Sequence, residues 1–225
     1  MRQLILDLLP ERSPTLDNFV SGQNAETLSA FTAWLAGASQ ETAFCVWGET
    51  GSGTTHLLRA SGFSYHDAQT TPDLGLFALE ETGNNDHTFP ETLAIDHVEA
   101  LDAKGQITLF NLFNRQKARG GRLLTAAAQP PHHLALREDL RTRLGSGLIY
   151  RLHPLSDGEK AAALARQAQE RALKLSPEAI DYLLRHAPRD MRTLAAIVEA
   201  LDRLTLEYRR PVTLPLLREL LQEQR

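Results

Sequence analysis

The residues with the clearest chemical meaning form a glycine-rich loop at positions 48–55, with the sequence GETGSGTT. It matches the phosphate-binding pattern G-x-x-x-x-G-K-[ST] at every specified position except one, because Thr54 stands where the pattern has lysine. The glycines allow backbone N–H groups to point at phosphate oxygens, and the Thr55 hydroxyl would ligate Mg²⁺. We expect a diphosphate to bind about one to two decades more weakly than with the lysine, and hydrolysis to be inefficient. The alternative is a glycine-rich turn without a ligand.

A second candidate is Asp96, which follows the apolar run 93–95. An acid at the end of a buried strand, some forty residues after such a loop, would hold Mg²⁺ directly or through water. ATPases of this kind usually place a second acid next, to polarise the attacking water. Here His97 takes that position and Glu99 lies two residues further on, so the spacing also predicts weak hydrolysis.

Two arginines could contact phosphate from elsewhere in the chain. Arg143 lies in the charged segment 137–144, and Arg192 lies in the segment 189–194. Arginine presents a fixed fork of donors to phosphate oxygens, so Arg143 could act on the nucleotide of a neighbouring subunit, and Arg192 could reach phosphate across a domain cleft. The alternative for each is an ordinary solvated arginine.

The elements that must position these residues alternate between strands and helices. Apolar runs predict strands at 43–47, 74–79, 92–95, 122–126 and 148–152, and helical patterns fall at 25–36, 55–61 and 106–119. Such alternation predicts an α/β fold, with a parallel sheet flanked by helices. Residues 82–86, rich in Gly and Asn, predict a turn.

The pattern becomes entirely helical after Pro154. Ser156 and Glu159 form a capping-box pattern, and Ser176 followed by Pro177 begins a further helix. Two more helices are predicted, one at 190–208 and one from about residue 214. We therefore expect three parts: a tail at 1–14, an α/β domain at 15–153 and a small helical domain at 154–225.

Composition narrows the class of protein. The 225 residues are 42% hydrophobic with a formal net charge of −4, which argues against a dedicated DNA-binding surface. No apolar run approaches the length of a membrane span. One cysteine, Cys45, excludes an internal disulfide. We expect a cytoplasmic protein without membrane contact.

Together the motifs resemble the AAA+ module of the bacterial replication initiator DnaA, and more closely the shortened, Hda-like regulatory inactivators of DnaA. The resemblance covers nearly the whole chain. It includes the segment LDNFVSGQN at 16–24, the THLL run at 55–58, Asp96, the RTRL run at 141–144, the PLSD run at 154–157 and the MRTL run at 191–194. A departure is Ala128, where the family usually has an acidic residue.

The resemblance implies a nucleotide site that holds ADP, or alternatively ATP, with Mg²⁺ on Thr55 and Asp96. An empty loop is the alternative, because Thr54 replaces the lysine. The residues implied for nucleotide binding are Val20, Gly48, Gly51, Ser52, Gly53, Thr54, Thr55, His56, Asp96 and Arg192. Arg143 matches the position of the family's arginine finger, a catalytic group given to a neighbour's nucleotide.

The resemblance also implies partners. The N-terminal hexapeptide QLILDL resembles the family's docking peptide for the DNA polymerase III sliding clamp, with Gln3, Leu4, Leu6 and Leu8 as contacts. The alternative is a terminal strand that packs on the body. DnaA is the second implied partner, a homo-oligomer is compatible with the pattern, and we expect no direct DNA-binding domain.

These features predict a regulator of chromosomal replication initiation. It would dock on the DNA-loaded clamp and stimulate hydrolysis of ATP bound to DnaA, with little or no ATPase activity of its own. One alternative is a DnaA-related adaptor that recruits replication factors without stimulating hydrolysis. Another is an independent ATPase, which the replacements at Thr54, His97 and Ala128 disfavour.

Overall fold

A five-stranded parallel sheet forms the centre of the first part of the chain. The computed structural model describes residues 13–78, 91–208 and 212–217. The strands are β1 (Ala43–Trp47), β2 (Ser64–Asp67), β3 (Thr92–Asp96), β4 (Arg122–Ala127) and β5 (Leu148–Arg151). They lie in the order β2-β3-β4-β1-β5, and every neighbouring pair is parallel.

The register of the sheet brings four strand ends to one edge. Trp47 pairs with Ala127, and Asp67 pairs with Asp96. The glycine-rich loop follows β1 at this same edge. In parallel α/β sheets, ligands bind outside the carboxyl ends of the strands, so the topology places the loop and Asp96 where a ligand site belongs.

Consecutive residues of a strand point to opposite faces of the sheet. Apolar residues occur on both faces here, and helices cover both. The helices of this part are α1 (Ala25–Leu35), α2 (Thr54–Ala60), α3 (Gly75–Ala78), α4 (Ala103–Arg119) and α5 (Glu138–Leu144), with short 3₁₀ turns at Gly22–Asn24, Val98–Ala100 and Pro131–His133. Phe44 and Val46 of β1 share one core cluster with Phe31 and Leu57. Ala43 belongs to a second cluster, which includes residues of α4 and α5.

The second part of the chain is helical. It contains α6 (Asp157–Glu170), α7 (Pro177–His186) and α8 (Met191–Tyr208), with a separate core that includes Leu164, Leu183 and Leu194. The Ser156–Glu159 capping box is formed at the start of α6. The described residues divide into two compact units between Pro154 and Leu155. None of the described helices is both long and apolar enough to cross a membrane.

The fold class predicted from the sequence is confirmed. One predicted strand is wrong, and one strand of the structure was not predicted. Residues 75–78 of the predicted strand 74–79 form α3 instead. Asp73 accepts a hydrogen bond from the backbone N–H of Gly75 at 2.9 Å, and Leu74 has a positive φ of 49°. This local turn is incompatible with an extended strand, and a short apolar run does not by itself distinguish strand from helix. The missed strand is β2, whose four polar and aromatic residues show no apolar run. The predicted turn at 82–86 lies outside the described residues.

Candidate nucleotide-binding site

The glycine-rich loop connects β1 to the first turn of α2 in a conformation that only glycine adopts easily. Gly51 and Gly53 have φ angles of 85° and 99°, in the left-handed region. The backbone N–H of Gly48 donates to the carbonyl of Ala127 at 3.1 Å, which ties the loop to the end of β4. Gly53 precedes α2, and no side chain caps the N–H groups of its first turn.

Ser52 provides the test of whether phosphate fits this loop. Its side chain is only 5% exposed, and its hydroxyl oxygen has no hydrogen-bond partner in the described residues. Buried polar atoms are normally satisfied, so an unpartnered hydroxyl in a loop whose helix is uncapped fits a loop that takes a polar ligand. Thr54 and Thr55 begin α2, and both are half-buried.

The segment before α1 lies against the loop. The Phe19 ring packs on Gly53, because a Cβ placed there would approach Phe19 Cε2 to 2.9 Å. His56 of α2 contacts Phe19 edge to face, with ring centroids 5.3 Å apart, and its Nε2 lies 2.9 Å from the carbonyl oxygen of Thr15. Val20, next in the chain, is half-buried. The structure thus places Phe19, the chain neighbour of the predicted residue Val20, in contact with both the loop and the predicted residue His56.

Asp96 is buried and already bonded within the protein. Its side chain is 1% exposed. Oδ2 accepts from the Tyr65 hydroxyl at 3.0 Å, and Oδ1 accepts from the backbone N–H of His97 at 3.0 Å. Burial and the neighbouring carboxylate of Asp96 raise the pKa of Tyr65 to about 12, so the hydroxyl remains a donor. Mg²⁺ held by Asp96, directly or through water as predicted, would therefore compete with two protein donors.

His97 and Glu99 do not replace the missing second acid. His97 is in the left-handed conformation, and its Nδ1 lies 3.0 Å from Asp67 Oδ1. Glu99 accepts a hydrogen bond from the backbone N–H of Ala128 at 3.3 Å. His97 contacts one neighbouring strand end and Glu99 contacts the other, and weak hydrolysis stays a prediction.

Arg143 lines a second candidate site, a cavity of about 810 Å³ between α4 and α5. The residues lining the cavity are Phe110, Arg137, Glu138, Asp139, Thr142 and Arg143. The Arg143 guanidinium lies 5.9 Å from the ring centroids of both Phe110 and Phe113. Aromatic faces attract guanidinium groups at this range, so two rings of α4 support this side chain.

The two arginines of this cavity differ in their charge environment. Arg137 forms a two-point ion pair with Asp139, with N–O distances of 3.2 and 2.8 Å. The hydrogen bond from Arg137 lowers the pKa of Asp139 below its ordinary value. Arg143 forms no ion pair within residues 13–78, 91–208 and 212–217. No described carboxylate therefore lies within ion-pair distance of its guanidinium, although Glu138 and Asp139 line the same cavity.

The remaining predicted residues lie apart from these two places. Arg192 is the second residue of α8, in the helical unit. Gln3, Leu4, Leu6 and Leu8 lie outside the described residues. Sequence reasoning missed Tyr65, Asp67, Phe110 and Phe113, since only the pairing of β2 with β3 and the packing of α4 on α5 bring them to the sites. The sequence signal for β2 was weak: it consisted of Tyr65, a residue type enriched in strands, among polar neighbours.

Comparison with known proteins finds relatives of the helical unit and of the whole chain. Residues 157–221 match the family model described as "Hda, lid domain". A Haemophilus influenzae protein described as uncharacterized is 31% identical over 230 residues, covering 98% of both chains.

Solved structures share the fold. Domain III of the Thermotoga maritima replication initiation protein DnaA superposes with a TM-score of 0.74 at 20% identity, covering 94% of this chain and 96% of that one. AMPPCP-bound DnaA from Aquifex aeolicus superposes with a TM-score of 0.66 at 23% identity, covering 88% of this chain and 70% of that one. With the lid match and the full-length relative, they show that the chain belongs to the family of Hda- and DnaA-related AAA+ proteins.

Proposed function

We propose that this protein regulates replication initiation by stimulating the hydrolysis of ATP bound to DnaA while it is docked on the DNA-loaded sliding clamp. The observation that carries the proposal is the state of Arg143. Its guanidinium is supported by two aromatic rings, lines a cavity and is paired with no described carboxylate. The match of residues 157–221 to the lid family and the fold shared with DnaA support a role in replication initiation.

The environment of Arg143 suits a group that acts on another molecule. An arginine that reaches a γ-phosphate must keep its charge and its donors available, since it stabilises charge in the transition state. Arg137, in the same cavity, has already directed two donors to Asp139. Arg143 is therefore the cation proposed to act on the nucleotide of the other molecule. Arg137 lines the same cavity beside it.

The protein's own loop has the opposite character. Thr54 supplies no cation, and neither His97 nor Glu99 is placed as a free acid. A diphosphate bound there would be held mainly by backbone N–H groups of the loop and the start of α2. The residues proposed to hold ADP are those at 48, 51–56 and 20, with Asp96 beside them; Arg192 of the helical unit is a further proposed nucleotide contact. Mg²⁺, where bound with the nucleotide, would neutralise phosphate charge.

The N-terminal tail is the segment proposed to dock the protein on the sliding clamp. Residues 3–8 carry a glutamine and spaced leucines, a pattern that suits a peptide pocket lined by apolar groups. Docking on the clamp would hold Arg143 near DnaA at high local concentration. Gln3→Ala is expected to abolish clamp pull-down, and persistence of clamp binding would contradict the docking step.

The test of the main step is hydrolysis of DnaA-bound ATP in the presence of DNA-loaded clamp. Arginine fingers supplied in trans raise GTPase rates by about 10³–10⁵, so Arg143→Ala should remove most of the stimulation. Arg143→Lys should recover little, because lysine keeps the charge but not the planar fork. An unchanged rate with Arg143→Ala would contradict the proposal.

Arg137→Ala is the matched control, because it removes a guanidinium from the same cavity that is already ion-paired. Its effect should be much smaller than that of Arg143→Ala. A clamp-bound protein that binds DnaA without changing hydrolysis would instead support an adaptor that recruits replication factors. Turnover of ATP by the isolated chain would support an independent ATPase.

A further inference from the structure

We propose that Tyr65 keeps Asp96 from Mg²⁺, so that the carboxylate at the end of β3 is a structural acceptor and nucleotide binding does not depend on a metal held by it. The inference rests on the proposed binding of ADP at the loop. It concerns only the protein's own site, and no step of the proposed action on DnaA enters it.

The contacts of Asp96 carry the inference. Oδ2 accepts from the Tyr65 hydroxyl, and Oδ1 accepts from the His97 N–H, each at 3.0 Å. The side chain is 1% exposed. A buried carboxylate must be satisfied by donors or by a cation, and here each of its two oxygens already accepts one hydrogen bond from the protein.

Both donors are themselves held in place. Tyr65 belongs to β2, which pairs with β3, and the Arg59 guanidinium lies 4.6 Å above its ring. His97 is held from the other side by Asp67, at 3.0 Å from its Nδ1. The network therefore joins the ends of two neighbouring strands and includes four titratable residues besides Asp96: Arg59, Tyr65, Asp67 and His97.

Mg²⁺ would have to compete with this network. The ion demands near-ideal octahedral geometry and gives up its waters reluctantly, so it approaches a carboxylate either directly or behind a water molecule. Either approach requires an accessible oxygen. Asp96 is 1% exposed, so neither oxygen is openly accessible, and an approach at Oδ2 would displace the Tyr65 hydroxyl, which would lose its acceptor in a half-buried position.

The test is a titration of the full chain with ADP by calorimetry, in excess Mg²⁺ and again in EDTA. The wild type and Asp96→Asn should show the same ratio of affinities between the two conditions, within about threefold. The asparagine keeps one acceptor oxygen, and circular dichroism would verify that the variant is folded. Tyr65→Phe should raise the affinity in Mg²⁺ by about tenfold or more, because it exposes a carboxylate oxygen without changing the ring.

The double variant Tyr65→Phe with Asp96→Asn is the matched control, and it should lose that gain. A wild-type affinity that falls about tenfold in EDTA, with this dependence absent in Asp96→Asn, would overturn the inference. So would a Tyr65→Phe variant whose response to Mg²⁺ equals that of the wild type, including the case in which neither binds ADP. Stimulation of DnaA through Arg143 is measured separately, so the failure of either proposal is distinguishable.

Discussion

The Phe19 ring lies against Gly53, so that a Cβ at Gly53 would come within 2.9 Å of Phe19 Cε2. This contact joins the segment before α1 to the last glycine of the glycine-rich loop. Because Gly53 also has a φ of 99°, its missing side chain serves both the turn and the packing.

Gly53→Ala should destabilise the protein and weaken ADP binding. A non-glycine residue in the left-handed region costs about 1–2 kcal/mol, and the clash with Phe19 adds to that cost. Gly51→Ala is the matched control, since Gly51 has a φ of 85° but no atom within 4 Å of the added Cβ. Urea unfolding should therefore show a larger loss for Gly53→Ala, and equal losses would contradict the role of Phe19.

Thr54→Lys should strengthen ADP binding without producing an efficient ATPase. A charge-assisted contact is worth about 1.5–3 kcal/mol, which corresponds to about a 10- to 100-fold gain in affinity. Hydrolysis should stay slow, because His97 and Glu99 are engaged with Asp67 and Ala128. Thr54→Met controls for side-chain length without charge, and rapid turnover by Thr54→Lys alone would refute the account of the missing acid.

Stability should fall between about pH 9 and pH 11 because of Cys45. Burial raises the pKa of this thiol from 9.0 to about 11. The unfolded chain then loses its proton first, so the stabilising contribution is complete below pH 9 and is lost as the pH rises towards 11. The loss should amount to about 2–3 kcal/mol, measured by urea unfolding across this range. Cys45→Ala should make the fall shallower in this window, where the raised pKa of Tyr65 also contributes above about pH 10, and an equally steep fall in the variant would assign it to other groups.

Ser156→Ala should destabilise the helical unit by about 1 kcal/mol. The serine hydroxyl accepts from the backbone N–H of Glu159 at 3.3 Å and donates to the Glu159 carboxylate at 2.7 Å, and the alanine variant loses both bonds. Ser176→Ala removes a cap that accepts a single bond, from Ala179 at 3.2 Å, so its effect should be smaller. Loss of helical signal on heating, followed by circular dichroism, compares the two, and a larger effect at Ser176 would contradict the reciprocal cap.

The predictions made from sequence succeed where the signal is local. The strand β1 and the start of α2 follow from an apolar run, a set of glycines and the residues after them. The cap at Ser156 follows from two residues three positions apart. The segment 74–79 fails, because the turn at Asp73 competes with an apolar run that suits either strand or helix.

By itself the sequence determined the parallel α/β class, the loop lacking its lysine and the helical end of the chain, since each depends on neighbours within one element. Only the tertiary structure decided that Tyr65 donates to Asp96 and that Phe110 and Phe113 support Arg143. These contacts join residues about thirty positions apart, and they exist because β2 pairs with β3 and α4 packs beside α5. The chemistry of a carboxylate or a guanidinium depends on such neighbours, because they decide whether its charge is already satisfied.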